Sequence, residues 1–569
     1  MNTVAWRIEQ LQTRVRIQAS QSRFVLRYAC GLWAVCAGLT LLIGLSSRER
    51  AEHLGIWLWS SLVPLKTVVW HGARYNAREL SLWLSNTVYG GTPSEWITWA
   101  LLVGFAPVCV LGVVGWWYIK RPEPDARHIR GAELVTQDAL QARLRQHGGQ
   151  PGMRIATVTI PRELHRTHFL VCGATGSGKT VTIRQLLRQL TSTDEPCIVV
   201  DPEGEFTQEF YSPERGDHLL NPLDARFPGW DPWGECENEA DMEAQAASLF
   251  PLTPTMSETS TYYHRCARVI YRALLAQAPT HDPQQIPTLL ADPEELLTHI
   301  DGTDAATLLG ARANETRQGM LSTLQIACAC FRYLHPSPQP WSAREWVQQR
   351  RGWCFLTFRE EDKEIALPLV SLWLDSLSRR LLSSGLHPAQ TTWLVIDELA
   401  VLKAQPNLQQ LLNRGRKRGI AVVLGFQDVL QLYALYGKAI VANMLDQPAT
   451  RLLLRTNNGE TQRWCAEDIG RREVERPLES ETVGPEHVRD AINRSHPRKE
   501  EPAVMGSQFG MLPNLNGYLK VAHYGAAPVT IPYVEAVERQ LAFVERVAAV
   551  EWLLRTPERV VVSQKRRVL

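Results

Sequence analysis

The sequence predicts an α/β protein with a largely parallel sheet, interrupted by a block of helices and preceded by two membrane-spanning helices. Three observations predict it. Short apolar runs alternate with helical patterns through much of the chain, a glycine-rich loop joins one such run to one such helix, and two long uncharged stretches come before them all.

At 569 residues the chain exceeds what one hydrophobic core organises, so several domains are expected. The 45% apolar content is ordinary for a folded protein. With 61 basic against 59 acidic residues, the overall charge neither demands nor forbids a polyanionic partner, and any nucleic-acid surface must be local. The 11 cysteines include Cys328 and Cys330 but form no pair of CxxC motifs, and no nearby histidine completes a metal-ligand set. They read as reduced structural thiols of a cytosolic domain.

Tyr28 to Ser47 and Trp96 to Ile119 are each long enough, at about 1.5 Å per helical residue, to cross a hydrocarbon core of about 30 Å. Pro107 should kink the second, while Trp96, Trp99, Trp116, Trp117 and Tyr118 stand where an aromatic belt belongs. Arg7, Arg14, Arg16, Arg23 and Arg27 precede the first span, and Lys120 and Arg121 follow the second. Both of those ends are therefore expected on the cytoplasmic side. A cleaved signal peptide is the competing reading of the first run, but its charged leader is too long for one. Between the spans, Trp57, Trp59, Trp70 and Trp83 suit a segment lying along the outer interface or against other membrane proteins.

After the polar linker Arg121 to Arg127, apolar runs recur: HFLVCG ending at Gly173, CIVVD at Asp201, WCFLTF from Trp353, WLVIDE ending at Glu398, IAVVLGFQ at Gln427, and RLLLRT from Arg451. Nearly continuous apolar strands imply a sheet covered on both faces. From about 230 to 345 the alternation gives way to helical patterns behind an acidic start at Glu235, Glu237, Glu239, Asp241 and Glu243. The expected organisation is a membrane anchor over 1–125, a nucleotide-binding domain in two parts (126–229 and 346–545) around an all-α domain (230–345), and a short tail (546–569).

Gly173, Ala174, Thr175, Gly176, Ser177, Gly178, Lys179 and Thr180 satisfy GxxxxGK[ST] between a strand and a helix. The glycines let backbone N–H groups turn inward around a phosphate at a helix N-terminus. Lys179 then neutralises phosphate charge, and the Thr180 hydroxyl helps hold Mg²⁺, so ATP and Mg²⁺ are the expected cofactors. WLVIDE supplies Asp397 at a strand end as the metal carboxylate, with Glu398 beside it to polarise a water. Asn413 to Gly419 packs Arg414, Arg416, Lys417 and Arg418 together. This is a solvated basic turn, a grip on DNA phosphates, or an arginine finger completing a neighbouring subunit's site. Gln427, at the end of the next strand, suits sensing the γ-phosphate or placing the water.

In this order the pieces resemble the coupling proteins of type IV secretion and conjugation, specifically the TraD-type group. The resemblance runs from the first span to about residue 535, on RTHFLVCGATGSGKT, VVDPEGEF, LLNPLDARFPGW, WLVIDELAVL, GRKRGIAVVLGFQ and GYLKVA. It implies a RecA-like P-loop ATPase with an inserted all-α domain, forming a hexameric ring on the cytoplasmic face of the bacterial inner membrane, with both termini in the cytoplasm. Such proteins recruit the relaxase-bound DNA strand, with the relaxase and accessory DNA-processing proteins, and drive it toward the secretion channel by hydrolysing ATP. By motif position Lys179, Thr180, Asp397 and Glu398 match the family's nucleotide and metal residues, Arg416 its arginine finger and Gln427 its sensor, while Arg166 lies near another family arginine. The long C-terminal extension by which some relatives dock the DNA-processing complex is not expected here. A nucleotide-dependent docking scaffold for secreted proteins and an FtsK-like translocase are the alternatives.

Overall fold

A computed structural model describes residues 48–62, 67–88 and 127–546, short internal stretches excepted, and isolated positions within 31–38 and 94–102. Apart from those positions, the two stretches read as spans lie outside the described residues. Among the described residues, no helix is long and apolar enough to cross a membrane. The chain divides into two units, Met1–Asp125 and Ala126–Leu569.

In the first unit, helix Arg48–Leu62 is followed by the hairpin Thr67–Trp70 and Ala73–Asn76 and by helix Ala77–Trp83. Asn76 starts the last of these, its side chain accepting the Arg78 N–H. Ile56, Leu80 and Leu84 form a small core against which Val68 and Trp70 pack. The stretch read as interfacial thus has a compact fold of its own.

The second unit is built on a nine-stranded sheet. Its strands are β1 (Phe169–Cys172), β2 (Cys197–Pro202), β3 (His218–Leu220), β4 (Trp353–Phe358), β5 (Thr392–Ile396), β6 (Ile420–Phe426), β7 (Thr450–Leu454), β8 (Asn516–Val521) and β9 (Gly525–Thr530). Across the sheet the order is β9-β8-β7-β1-β6-β5-β2-β4-β3. All neighbours from β7 to β3 are parallel, and β8 and β9 add an antiparallel edge. Alternation along the strands serves two cores. Phe169, Val171, Val199, Val395 and Val423 pack with Ile183, Leu186 and Leu187 of helix α1 (Lys179–Leu190). Leu170, Cys172, Val200, Ile396 and Leu424 belong to the core on the other face. Burial on both faces is why these runs read as continuously apolar.

Between β3 and β4 the described residues hold helices and no named strand, the longest being α2 (Glu239–Leu249), α3 (Glu258–Gln277) and α4 (Asn314–Cys328). Of the acids at the start of this region, Glu237 and Glu239 are exposed, while Glu235 and Asp241 are buried. Asp241, buried, pairs with Arg379 at a short distance and with Arg380 at 3.2 Å. Both arginines lie on helix α5 (Lys363–Ser383), which leads from β4 to β5. The helical block is therefore fastened to the sheet domain by buried charge, which resists separation because either partner alone would be stranded out of water.

Candidate active site

The parallel strands β1, β5 and β6 end at one edge of the sheet, and that edge carries the glycine loop. Gly176 and Gly178 have φ of +73° and +113°, which a side chain would resist, and Gly178 caps α1 in the left-handed conformation. The loop is stitched to neighbouring strand ends, Gly173 N–H donating to the Phe426 carbonyl at 3.1 Å and Ala174 N–H to the Arg455 carbonyl at 2.8 Å. Ser177 Oγ is buried with no partner, as befits a cradle for an anion.

Around this loop five of the expected residues converge. Lys179, only 5% exposed, donates to the Asp397 carbonyl at 2.7 Å and to its carboxylate at 2.8 Å. Thr180 Oγ1 donates to Asp397 Oδ2 at 3.4 Å. This hydroxyl and carboxylate suit Mg²⁺, which takes few protein oxygens and leaves the rest to phosphate and water. Glu398 Oε2 is 3.6 Å from Lys179 Nζ. Burial pushes the Glu398 carboxyl up, Lys179 opposes this, and the Asp397 charge adds to it. The Gln427 amide and Ala400 N–H favour its charge, yet neither carboxylate oxygen receives a well-formed hydrogen bond. A buried carboxylate with free lone pairs has the character of a general base. Gln427 Oε1 accepts from Thr175 Oγ1 at 2.9 Å, tying the strand end to the loop.

Arg416 stands apart. It lies in the one-turn helix Gly415–Arg418, between α6 (Pro406–Arg414) and the start of β6. Seven residues of strand separate that turn from Gln427, about 20 Å at roughly 3.3 Å per residue. Arg414, Arg416 and Lys417 are exposed. Arg418 instead donates to the Ser384 carbonyl, which fixes one side of the turn. Arg166 is likewise away from the loop, its Nε donating to Thr391 Oγ1 at 3.3 Å just before β5.

Two residues here carried no role in the sequence reading. His168, with φ of +63°, accepts the Val422 N–H on Nδ1 at 3.1 Å and donates from Nε2 to the Leu412 carbonyl at 2.9 Å. Burial lowers its pKa to about 4, so it stays neutral and clamps α6, and with it the arginine turn, to β6. Asp201 is the next-to-last residue of β2, one beyond the Val200 that pairs with Ile396 on the strand leading to Asp397. Its Oδ2 accepts the Thr207 N–H at 2.7 Å and hydroxyl at 2.8 Å. Burial, with a contribution from Asp397, raises it to about 7. DPEGEF holds the signal for this residue, an acid after an apolar strand, the same pattern that marks Asp397.

Residues 152–532 match the family model for the type IV secretion-system coupling protein DNA-binding domain. The coupling protein TraD of Escherichia coli (strain K12) is 24% identical over 554 residues, covering 91% of this chain and 76% of TraD. The plasmid coupling protein TrwB, solved with the non-hydrolysable ATP analogue ADPNP, is 27% identical with a TM-score of 0.65, over 75% of this chain and 98% of that one. TrwB with ADP and Mg²⁺ is 27% identical with a TM-score of 0.64, over 75% and 99%.

Proposed function

This chain belongs to the type IV secretion-system coupling proteins, and we propose on that footing that it hydrolyses ATP to move relaxase-bound DNA into the secretion channel. The observation that carries the hydrolytic reading is Glu398, buried at the loop 3.6 Å from the Lys179 ammonium, its carboxyl pushed up by burial. A nucleotide site that only bound its ligand would gain nothing from burying an acid there, whereas a carboxylate whose affinity for a proton is raised by burial accepts one from an attacking water.

The roles follow from position. With nucleotide present, Lys179 would turn from Asp397 to the phosphate oxygens, and Thr180 and Asp397 are the residues that would hold Mg²⁺. The ion, when bound, neutralises charge on the phosphates. Glu398 orients and deprotonates the water, and Gln427, already bonded to Thr175 of the loop, reports the state of the γ-phosphate. Arg416 serves the neighbouring subunit in a homohexamer, because its exposed turn is too far from the loop of its own chain. TrwB structures with ADPNP and with ADP and Mg²⁺ support the nucleotide and the ion.

The apolar stretches 28–47 and 96–119, with arginines outside them, support anchoring in the inner membrane with the ATPase and both termini cytoplasmic. The test is genetic and chemical together. Lys179→Ala or Glu398→Gln should abolish ATP turnover and DNA transfer while membrane insertion persists. A variant that still transferred DNA at the parental rate would sink the proposal.

A further inference from the structure

The first unit encloses a core of Ile56, Leu80 and Leu84, yet leaves Tyr75 43%, Leu82 53% and Trp83 51% exposed. A unit this small gains little from its own interior, and large apolar side chains left outside it mark a surface that something else covers.

Helix and hairpin bring these side chains to one surface. In helix Ala77–Trp83, Ala77, Leu80 and Ser81 are buried, and the helical period turns Arg78, Leu82 and Trp83 outward together. The Trp83 ring meets the Trp70 ring edge-on, with centroids 6.4 Å apart. In the hairpin, Tyr75 is paired with Val68, two residues before Trp70, so Tyr75 and Trp70 share a face. Val69, 64% exposed and paired with Arg74, belongs to the opposite face.

We propose that Tyr75, Leu82 and Trp83 seat this unit in the lipid headgroup layer of the outer leaflet, with Arg78 paired to lipid phosphate. The proposal rests on reading 28–47 and 96–119 as membrane spans. On that reading the unit stays at the bilayer surface. Arg48 follows the first stretch directly, and residues 89–95 alone join Val88 to the second, at most about 25 Å of chain at roughly 3.5 Å per residue. Tyrosine and tryptophan join an apolar ring to a polar tip, and arginine carries its charge on an apolar stem. That is the chemistry of the layer between hydrocarbon and water. A second copy of the chain or another membrane protein would need a wider face, since a stable protein interface takes about 20–30 residues a side. This surface is one helix end and part of one hairpin face.

Photo-crosslinking of the full-length protein tests this. Benzoylphenylalanine replaces Leu82, Trp83 or Val69, and each variant is reconstituted in phosphatidylethanolamine and phosphatidylglycerol vesicles that carry an alkyne-tagged phospholipid. After irradiation, the probes at Leu82 and Trp83 should take up tagged lipid at least about fivefold more than the probe at Val69. The same probe in place of Tyr75 keeps an aromatic ring there and should label as the Leu82 probe does. Crosslinks between two copies of the chain at Leu82 or Trp83, lipid uptake at Val69 equal to that at Leu82, or no lipid adduct at Leu82, Trp83 and Tyr75 overturns the seat. Release of the parental protein from these vesicles by alkaline carbonate overturns the span reading instead.

Discussion

Strand β6 has a different kind of site at each end. At its Gln427 end the functional groups are buried and bonded to one another: Lys179 to Asp397, Thr180 to Asp397, Thr175 to Gln427. At its Ile420 end, Arg414, Arg416 and Lys417 stand in solvent, while His168 and Arg418 beneath them are anchored. The first site is preorganised for a ligand. The second is an anchored mount for side chains that stand exposed. On the proposed reading, the cradle and the arginine of one chain lie at opposite ends of a strand, and hydrolysis would belong to an assembly.

The largest expected effect falls on the first end. Lys179→Ala should reduce ATPase activity to background, because Lys179 is the buried cation of the phosphate loop itself. Arg416→Ala should cost about 10³-fold or more in turnover while leaving nucleotide affinity near parental, the pattern of an arginine acting on the transition state. A loss of affinity instead would return Arg416 to its own chain's cradle and erase the contrast. Glu398→Gln should lower turnover by about 10² to 10⁴-fold with binding retained, read by single-turnover hydrolysis alongside equilibrium binding.

The smallest effect concerns the mount. With its pKa near 4 in the fold against 6.5 ordinarily, His168 contributes stability that is fully present above pH 6.5 and lost as pH falls toward 4. The full contribution is about 3 kcal/mol. Asp201, raised to about 7, acts in the opposite sense and gains as pH falls below 7. The difference between variant and parent is therefore the informative quantity. In His168→Gln, the change in thermal midpoint between pH 7.5 and pH 5 should shift toward greater acid tolerance, as measured on the purified full-length chain. An unaltered pH profile would mean that His168 is not the clamp.

The six apolar runs read as strands all form strands of one sheet, because burial on both faces leaves an unbroken apolar signature. β3, β8 and β9 escaped the reading for separate reasons. His218–Leu220 is too short to show a period, Asn516–Val521 alternates between buried and half-exposed positions, and Gly525–Thr530 carries Gly525 and Pro528 in an edge strand. The edge carrying the candidate site was legible because a glycine loop and an acid after an apolar strand must sit at strand ends. His168 was not. Its partners are 244 and 254 residues away in sequence, and a polar residue at a strand start announces no such contact. The first unit's hairpin and small core were equally hidden, since its tryptophans suit an interface as well as a fold.

A hexameric motor requires Arg416 to work across a subunit boundary. Mixed assemblies of Lys179→Ala and Arg416→Ala chains, each inactive alone, measure this directly. At some boundaries an intact Arg416 from the Lys179→Ala chain would face an intact cradle in its neighbour, so ATPase activity should reappear in proportion to those boundaries. Assemblies proven to contain both chains, yet as inactive as either variant alone, would contradict it.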